Sequence, residues 1–201
     1  KASGRYLTGF SGSLCYNTPN RRPSTPTPLN FYAPLDAIVN GIAGGSLSVL
    51  NELRRRALEE SLPVYLVGGP VRDALLGMPI NDLDFVVEGD APQLATQLAE
   101  RLGGRLVLHA AFGTASVILE DAHIDLVTAR REIYTRPGAL PQVTPSGIDD
   151  DLSRRDFTIN AMALPIDREN PQILDPHDGI DDVQSGKVRT LHRDSFADDP
   201  T

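Results

Sequence analysis

One stretch limits the possible folds more than any other. Residues 64–88 read Val-Tyr-Leu-Val-Gly-Gly-Pro-Val-Arg-Asp-Ala-Leu-Leu-Gly-Met-Pro-Ile-Asn-Asp-Leu-Asp-Phe-Val-Val-Glu. The four apolar residues at its start predict a strand covered on both faces. A double-glycine turn follows, then a short helix over Pro70–Leu76 with proline in its first turn and Gly77 as its stop. A second strand opens at Asp82-Leu-Asp84. Residues two apart on a strand share a face, so the carboxylates of Asp82 and Asp84 converge while Leu83 turns into the core. Adjacent carboxylates repel unless a cation lies between them, and a divalent metal is the obvious candidate. Gly68 and Gly69 allow the backbone to approach something bulky, and a helix start favours an anion. A Gly-Gly pair alone is ordinarily a tight turn, and an Asp-x-Asp alone a solvated loop or cap. Their joint occurrence in strand, turn, helix, strand order favours a nucleoside triphosphate with magnesium.

The rest of the composition sets bounds. The 201 residues suffice for one good core, and the 40% hydrophobic content is that of a globular protein. No apolar run approaches the length of a bilayer span, so no membrane partner is expected. Cys15 is the single cysteine, which excludes a disulfide framework and a cysteine-based zinc site and fits a reducing, cytoplasmic setting. Residues 1–35 carry Lys1, Arg5, Arg21 and Arg22 and no acid, which leaves 15 basic and 27 acidic side chains, a net of −12, on the remainder. Taken whole, that surface is a poor platform for nucleic acid, so a polynucleotide must be met by a local basic patch, by bound metal or by additional chain.

In chain order, residues 1–45 are rich in Ser, Thr, Pro and Gly without sustained periodicity, and read as a flexible leader or linker. The same composition fits an organelle transit peptide. Residues 46–201 are expected to form the folded domain. Ser48–Glu60 is a predicted helix with Leu50, Leu53 and Ala57 inward and Arg54–Arg56 on the solvated side. Asp90 is expected to cap a helix with Pro92 in its first turn, a Leu94, Leu98, Leu102 spine and Gly103-Gly104 as its stop. Arg105–Leu108 and Ser116–Leu119 read as strands paired around a Phe112-Gly-Thr turn, and His123–Val127 as a further strand. Asp125 in that strand either lies on a solvated edge or completes a cluster with Asp82 and Asp84. Residues 130–155, with several prolines, glycines and arginines, read as a long functional or mobile loop. Asp156 is expected to cap a helix through Leu164, Ile173-Leu-Asp-Pro to form a short edge strand, and residues 198–201 to open another helix. His109, His123, His177 and His192 show no ligand spacing and are read as structural.

With these pieces in place, the sequence resembles the head domain of the class II tRNA nucleotidyltransferase and bacterial poly(A) polymerase family, within the polymerase-beta-like nucleotidyltransferases. The resemblance is carried by Leu66-Val-Gly-Gly-Pro-Val-Arg-Asp73 with Asp82-Leu-Asp84, and by Asp151-Leu-Ser-Arg-Arg-Asp-Phe-Thr-Ile-Asn-Ala161. Thr128-Ala-Arg-Arg-Glu-Ile-Tyr134 and Leu174-Asp-Pro-His-Asp-Gly179 match the segments between and after. It implies an α/β (α+β) fold, a mixed sheet flanked by helices that ends at the start of a helical neck. It also implies that Asp82, Asp84 and Asp125 are the catalytic, magnesium-holding carboxylates. Gly68, Gly69, Arg72, Arg155 and Asn160 are implied to bind the nucleotide. Asp156 belongs to the same signature, with a helix cap as its alternative. Arg130, Arg131 and Arg136 are implied contacts of phosphate or RNA, with an ordinary solvated loop as the alternative.

The implied partners are ATP or CTP and the 3′ end of tRNA or another RNA, and the implied cofactor is Mg²⁺. Members of the family continue into neck, body and tail regions that hold a base-selecting motif, so the chain is expected to be a catalytic head without its own nucleotide selectivity. A poly(A) polymerase, a non-catalytic nucleotide- or RNA-binding module, and an enzyme adding nucleotides to a protein or small molecule are the alternatives.

Overall fold

The computed structural model describes residues 34–42, 44–109, 113–133 and 141–191. The first 33 residues of the expected leader, the Phe112 turn position, Arg136, His192 and the helix expected after residue 198 lie outside the described residues. Two helices, α1 (Pro34–Gly41) and α2 (Gly45–Glu60), precede β1 (Val64–Val67), α3 (Gly69–Leu75) and β2 (Leu83–Val87). Next come α4 (Ala91–Leu102), β3 (Arg105–His109), β4 (Thr114–Ile118) and β5 (His123–Thr128). The chain continues through β6 (Arg130–Ile133), β7 (Gln142–Pro145), α5 (Ile148–Ser153), a 3₁₀ turn at Thr158–Asn160, β8 (Ala163–Pro165) and α6 (Gly179–Ser185). No helix among the described residues is long and apolar enough to cross a membrane.

Six strands form one mixed sheet in the order β3-β4-β5-β2-β1-β8, and β6 with β7 forms a separate hairpin. β2 and β5 run parallel while the other neighbours in the large sheet are antiparallel. Their parallel pairing needs a crossover, and α4, β3 and β4 supply it. Period-two alternation then divides the side chains between two cores. Val64, Leu66, Leu83, Phe85, Val87, Val117, Ile124 and Leu126 meet the helices on one side, where Val49, Leu50 and Leu53 of α2 and Leu94 and Leu98 of α4 are buried. Tyr65, Val67 and Val86 point the other way and pack on Ile148 and Leu152 of α5. Each such fully buried aliphatic or aromatic side chain contributes about 1.5–3 kcal/mol, so both faces of β1 and β2 hold the centre rigid.

Local chemistry explains the ends. The Asp90 carboxylate accepts the Gln93 N–H at 2.9 Å to start α4, and Gly103 ends it in the left-handed conformation at φ 69°. On α2, Arg55 and Arg56 are taken up by Glu52, whose carboxyl is held down to about 2, chiefly by its hydrogen bond from Arg55. The arginine triplet is therefore partly neutralised along its own helix.

Four expectations are corrected. The leader read over 1–45 gives way at residue 34 to α1, whose Ile38 enters the core together with Ile42 just after the helix. The long loop over 130–155 contains the β6–β7 hairpin and α5; the hairpin strands are short, mostly polar and paired only with each other, with one apolar side chain in Arg130–Ile133, so they show no apolar alternation. Gly147 and three successive acids open α5, where carboxylates suit the positive end of the helix dipole. The helix expected from Asp156 to Leu164 is a 3₁₀ turn followed by β8: residues 161–166 are buried on every side, which suits a strand beside β1 better than an amphipathic helix. The edge strand at Ile173 reduces to a single bridge between Leu174 and Ala163.

Candidate active site

The carboxylates come together through sheet register. Asp84 of β2 lies directly opposite Asp125 of β5 in the parallel ladder, so both project from the face that also carries Tyr65 and Val86. Asp82 stands just ahead of β2, exposed and two residues from Asp84. Burial pushes the Asp84 carboxyl above the usual carboxylate range, and the charges of Asp125 and Asp82 push it further. Arg155, more than His123, opposes that rise. Of the two positions open to Asp125, β5 is an interior strand of the sheet and the register sets Asp125 beside Asp84.

Two further side chains reach Asp125: Ser116, which no pattern in the sequence marks, and His123, which is read from the sequence as structural. Ser116, its cross-strand partner on β4, donates its hydroxyl to Asp125 Oδ1 at 2.5 Å. His123 Nε2 lies 3.6 Å from the same oxygen. Its position two residues before Asp125 on one strand is the signal that would have found it.

The glycine turn forms the second half of the site. Gly68 has φ 71° and ψ −128°, a conformation that side-chain-bearing residues rarely adopt, and its N–H donates to the Met162 carbonyl at 3.1 Å. A Cβ built on Gly68 would lie 3.0 Å from Arg155 Nη1, so that guanidinium sits directly against the turn. Arg155 Nη1 donates to the Asn160 carbonyl at 3.3 Å, and Arg72 Nη1 donates to the Asn160 side-chain oxygen at 2.8 Å. Asn160 therefore gathers both arginines beside Gly68 and Gly69. Asp156 is exposed, and its carboxylate accepts its neighbour Phe157 N–H at 2.8 Å; no helix starts there for it to cap.

The arginines of the hairpin differ from one another. Arg130 is mostly buried and pairs with Glu132 at 2.7 Å, whereas Arg131 is 60% exposed and pairs with Asp150 at 3.3 Å. His177 Nε2 meets Ser153 Oγ at 3.4 Å. A separate cleft of about 900 Å³ opens between the hairpin and the ends of β2 and β5, lined by residues such as Glu88, Thr128, Arg130 and Ser146. Asp84, Asp125, Arg72 and Arg155 do not line it.

Among the described residues no three His, Cys, Asp or Glu side chains make a ready-made metal cage. The donors nevertheless suit magnesium, a hard cation that commonly takes one or two protein carboxylates and completes its shell with water and substrate phosphate. A cation placed there would offset both the burial and the neighbouring charge that raise the Asp84 carboxyl.

The fold and this corner define an α/β domain in which two in-register carboxylates stand near a glycine turn flanked by arginines. The family model described as the poly(A) polymerase head domain matches residues 64–189, and the chain belongs to that family. It is 43% identical over 169 residues to the A-adding tRNA nucleotidyltransferase of Halalkalibacterium halodurans, covering 83% of this chain and 40% of that protein. It is 44% identical over 152 residues to the CC-adding tRNA nucleotidyltransferase of Deinococcus radiodurans, covering 75% of this chain and 40% of the relative. The solved Thermotoga maritima CCA-adding enzyme complexed with tRNA superposes with a TM-score of 0.70 at 39% identity, over 83% of this chain and 37% of that one. The chain thus spans about 40% of the length of these relatives.

Proposed function

We propose that this chain is the nucleotidyl-transferring head of an enzyme that adds A or C residues from ATP or CTP to the 3′ end of RNA, tRNA foremost. The observation that carries the reading is the in-register pairing of Asp84 with Asp125 on one face, within the field of an arginine fixed at the glycine turn. Relatives named as A-adding and CC-adding tRNA nucleotidyltransferases support it.

In the reaction, the 3′ hydroxyl oxygen bonds the α-phosphorus, the bond from that phosphorus to the β-phosphate's bridging oxygen breaks, and pyrophosphate leaves. The hydroxyl proton passes to solvent. Asp82, Asp84 and Asp125 would hold magnesium, which supplies a lowered hydroxyl pKa and neutralises charge on the departing pyrophosphate. Arg72 and Arg155 would clamp the triphosphate, while the bare backbone at Gly68 and Gly69 lets it sit close and in line. Ser116 would leave Asp125 with one committed oxygen and one free. Positioning and charge stabilisation account for the rate, and no side-chain nucleophile is needed.

The test incubates the full-length protein with tRNA lacking its 3′-terminal nucleotides, each labelled nucleotide separately, and magnesium. Asp84→Asn and Asp125→Asn are expected to lower incorporation by on the order of 100-fold or more. Unchanged incorporation in both variants rejects the assignment, and the nucleotide accepted separates A from CC addition.

A further inference from the structure

Asp151 lies in α5 with its side chain completely buried, so it cannot touch a nucleotide. Its two oxygens are divided between two arginines. Oδ1 accepts Arg154 Nη2 at 2.7 Å and Nε at 3.1 Å, and Oδ2 accepts Arg155 Nη2 at 3.2 Å. Arg154 Nη1 continues to Glu132 at 3.2 Å, and Glu132, only 7% exposed, also receives Arg130 Nη2 at 2.7 Å. A line of alternating charge therefore runs from the β6–β7 hairpin through α5 to the guanidinium that rests on Gly68.

Arg155 Nε is buried with no hydrogen-bond partner among the described residues, while its two terminal nitrogens are committed to Asp151 and to the Asn160 carbonyl. A guanidinium free to choose would satisfy all its donors, so its orientation is imposed by these two contacts against a desolvation cost. Buried ion networks contribute little net stability compared with apolar replacements, and in some proteins they serve to fix one geometry.

We propose that Asp151 is a positioning residue that aims Arg155 at the triphosphate, and that Glu132, through Arg154, makes this aim depend on the seating of the β6–β7 hairpin. The inference rests on the nucleotidyl-transfer reading given above. Nucleotide affinity is then set partly by acids that never meet the nucleotide.

The test uses the full-length protein, with Mg-ATP binding measured by calorimetry and with KM for ATP and kcat measured on a tRNA acceptor. The double variant Asp151→Asn with Arg154→Met removes the aim at constant net charge, leaves Glu132 paired with Arg130 and Arg155 with the Asn160 carbonyl, and its fold is checked by circular dichroism and melting. It is expected to raise Kd and KM for ATP about tenfold or more, with a smaller fall in kcat. Glu132→Gln, which preserves shape, is expected to raise both about threefold. A folded double variant binding ATP within about twofold of wild type overturns the proposal. If the double variant does not fold, Glu132→Gln decides alone, and unchanged affinity overturns the relay. Wild-type protein that neither binds ATP nor extends RNA overturns the functional reading together with the relay, whereas active wild type beside indifferent variants overturns the relay alone.

Discussion

Alanine at Gly68 and alanine at Gly69 are expected to behave very differently, although the two glycines are adjacent. At φ 71° and ψ −128°, Gly68 occupies a region where any side chain brings backbone strain of about 1–3 kcal/mol. The added Cβ would also press on Arg155 Nη1 at 3.0 Å, and the guanidinium would have to shift against its contacts with Asp151 and the Asn160 carbonyl. Gly69 has no such backbone requirement, and its nearest foreign atom, Arg72 Nη2, would be at an ordinary 3.6 Å. Gly69→Ala should therefore stay within about 0.5 kcal/mol of wild type. For a domain of this size each kcal/mol lowers the melting temperature by about 2–4 °C, so Gly68→Ala should melt about 2–12 °C lower. The chain has no tryptophan, which makes urea and thermal unfolding followed by far-UV circular dichroism the suitable assay. Displacement of Arg155 adds a second signature, weaker Mg-ATP binding in the variant that remains folded. Equal unfolding midpoints for the two alanine variants would refute the reasoning, because only one of them incurs strain.

Asp84 and Tyr65 yield predictions through pH. The Asp84 carboxyl is raised in the folded protein by burial and then by Asp125, so the folded state holds its proton more tightly and stability falls as pH rises above the unfolded value of 3.8. In chelator at neutral pH, Asp84→Asn should unfold at higher urea than wild type while losing incorporation, with the two converging near the acid end; a less stable variant contradicts this. The Tyr65 hydroxyl is pushed up to about 12 by burial and then by the charge of Glu88. Its burial therefore costs nothing below the unfolded value of 10.0 and lowers stability as pH climbs from there toward 12. Tyr65→Phe should flatten that alkaline decline, and spectrophotometric titration should show one late tyrosinate that the variant lacks; identical titrations would exclude the assignment.

Much of this architecture is visible in the residues because local and global preferences agree there. Val64–Val67, the α3 stop at Gly77 and the Asp90-capped α4 each combine a clear period with an unambiguous end signal. The hairpin and β8 escape such reading for opposite reasons: Arg130–Ile133 has too few apolar residues to show a period, and Ala161–Ile166 has too many. The acids at 82, 84 and 125 can be picked out singly, but nothing in a linear pattern says that β5 lies parallel beside β2, and that neighbour relation is what joins them. Asp151 is hidden in another way. It follows Asp149 and Asp150, and three acids at a helix start look alike until packing removes one of them from water.

Because β5 reaches β2 only after the α4, β3 and β4 excursion, and Arg155 returns to Gly68 later still, residues 64–88 of the nascent polypeptide carry the glycine turn, Arg72, Asp82 and Asp84 but neither Asp125 nor Arg155. Competence arrives only at closure, a long-range event that is slow relative to the local helices. A copy whose fifth strand docked one residue out of step would turn Asp125 toward the helices, and would be inert rather than inaccurate.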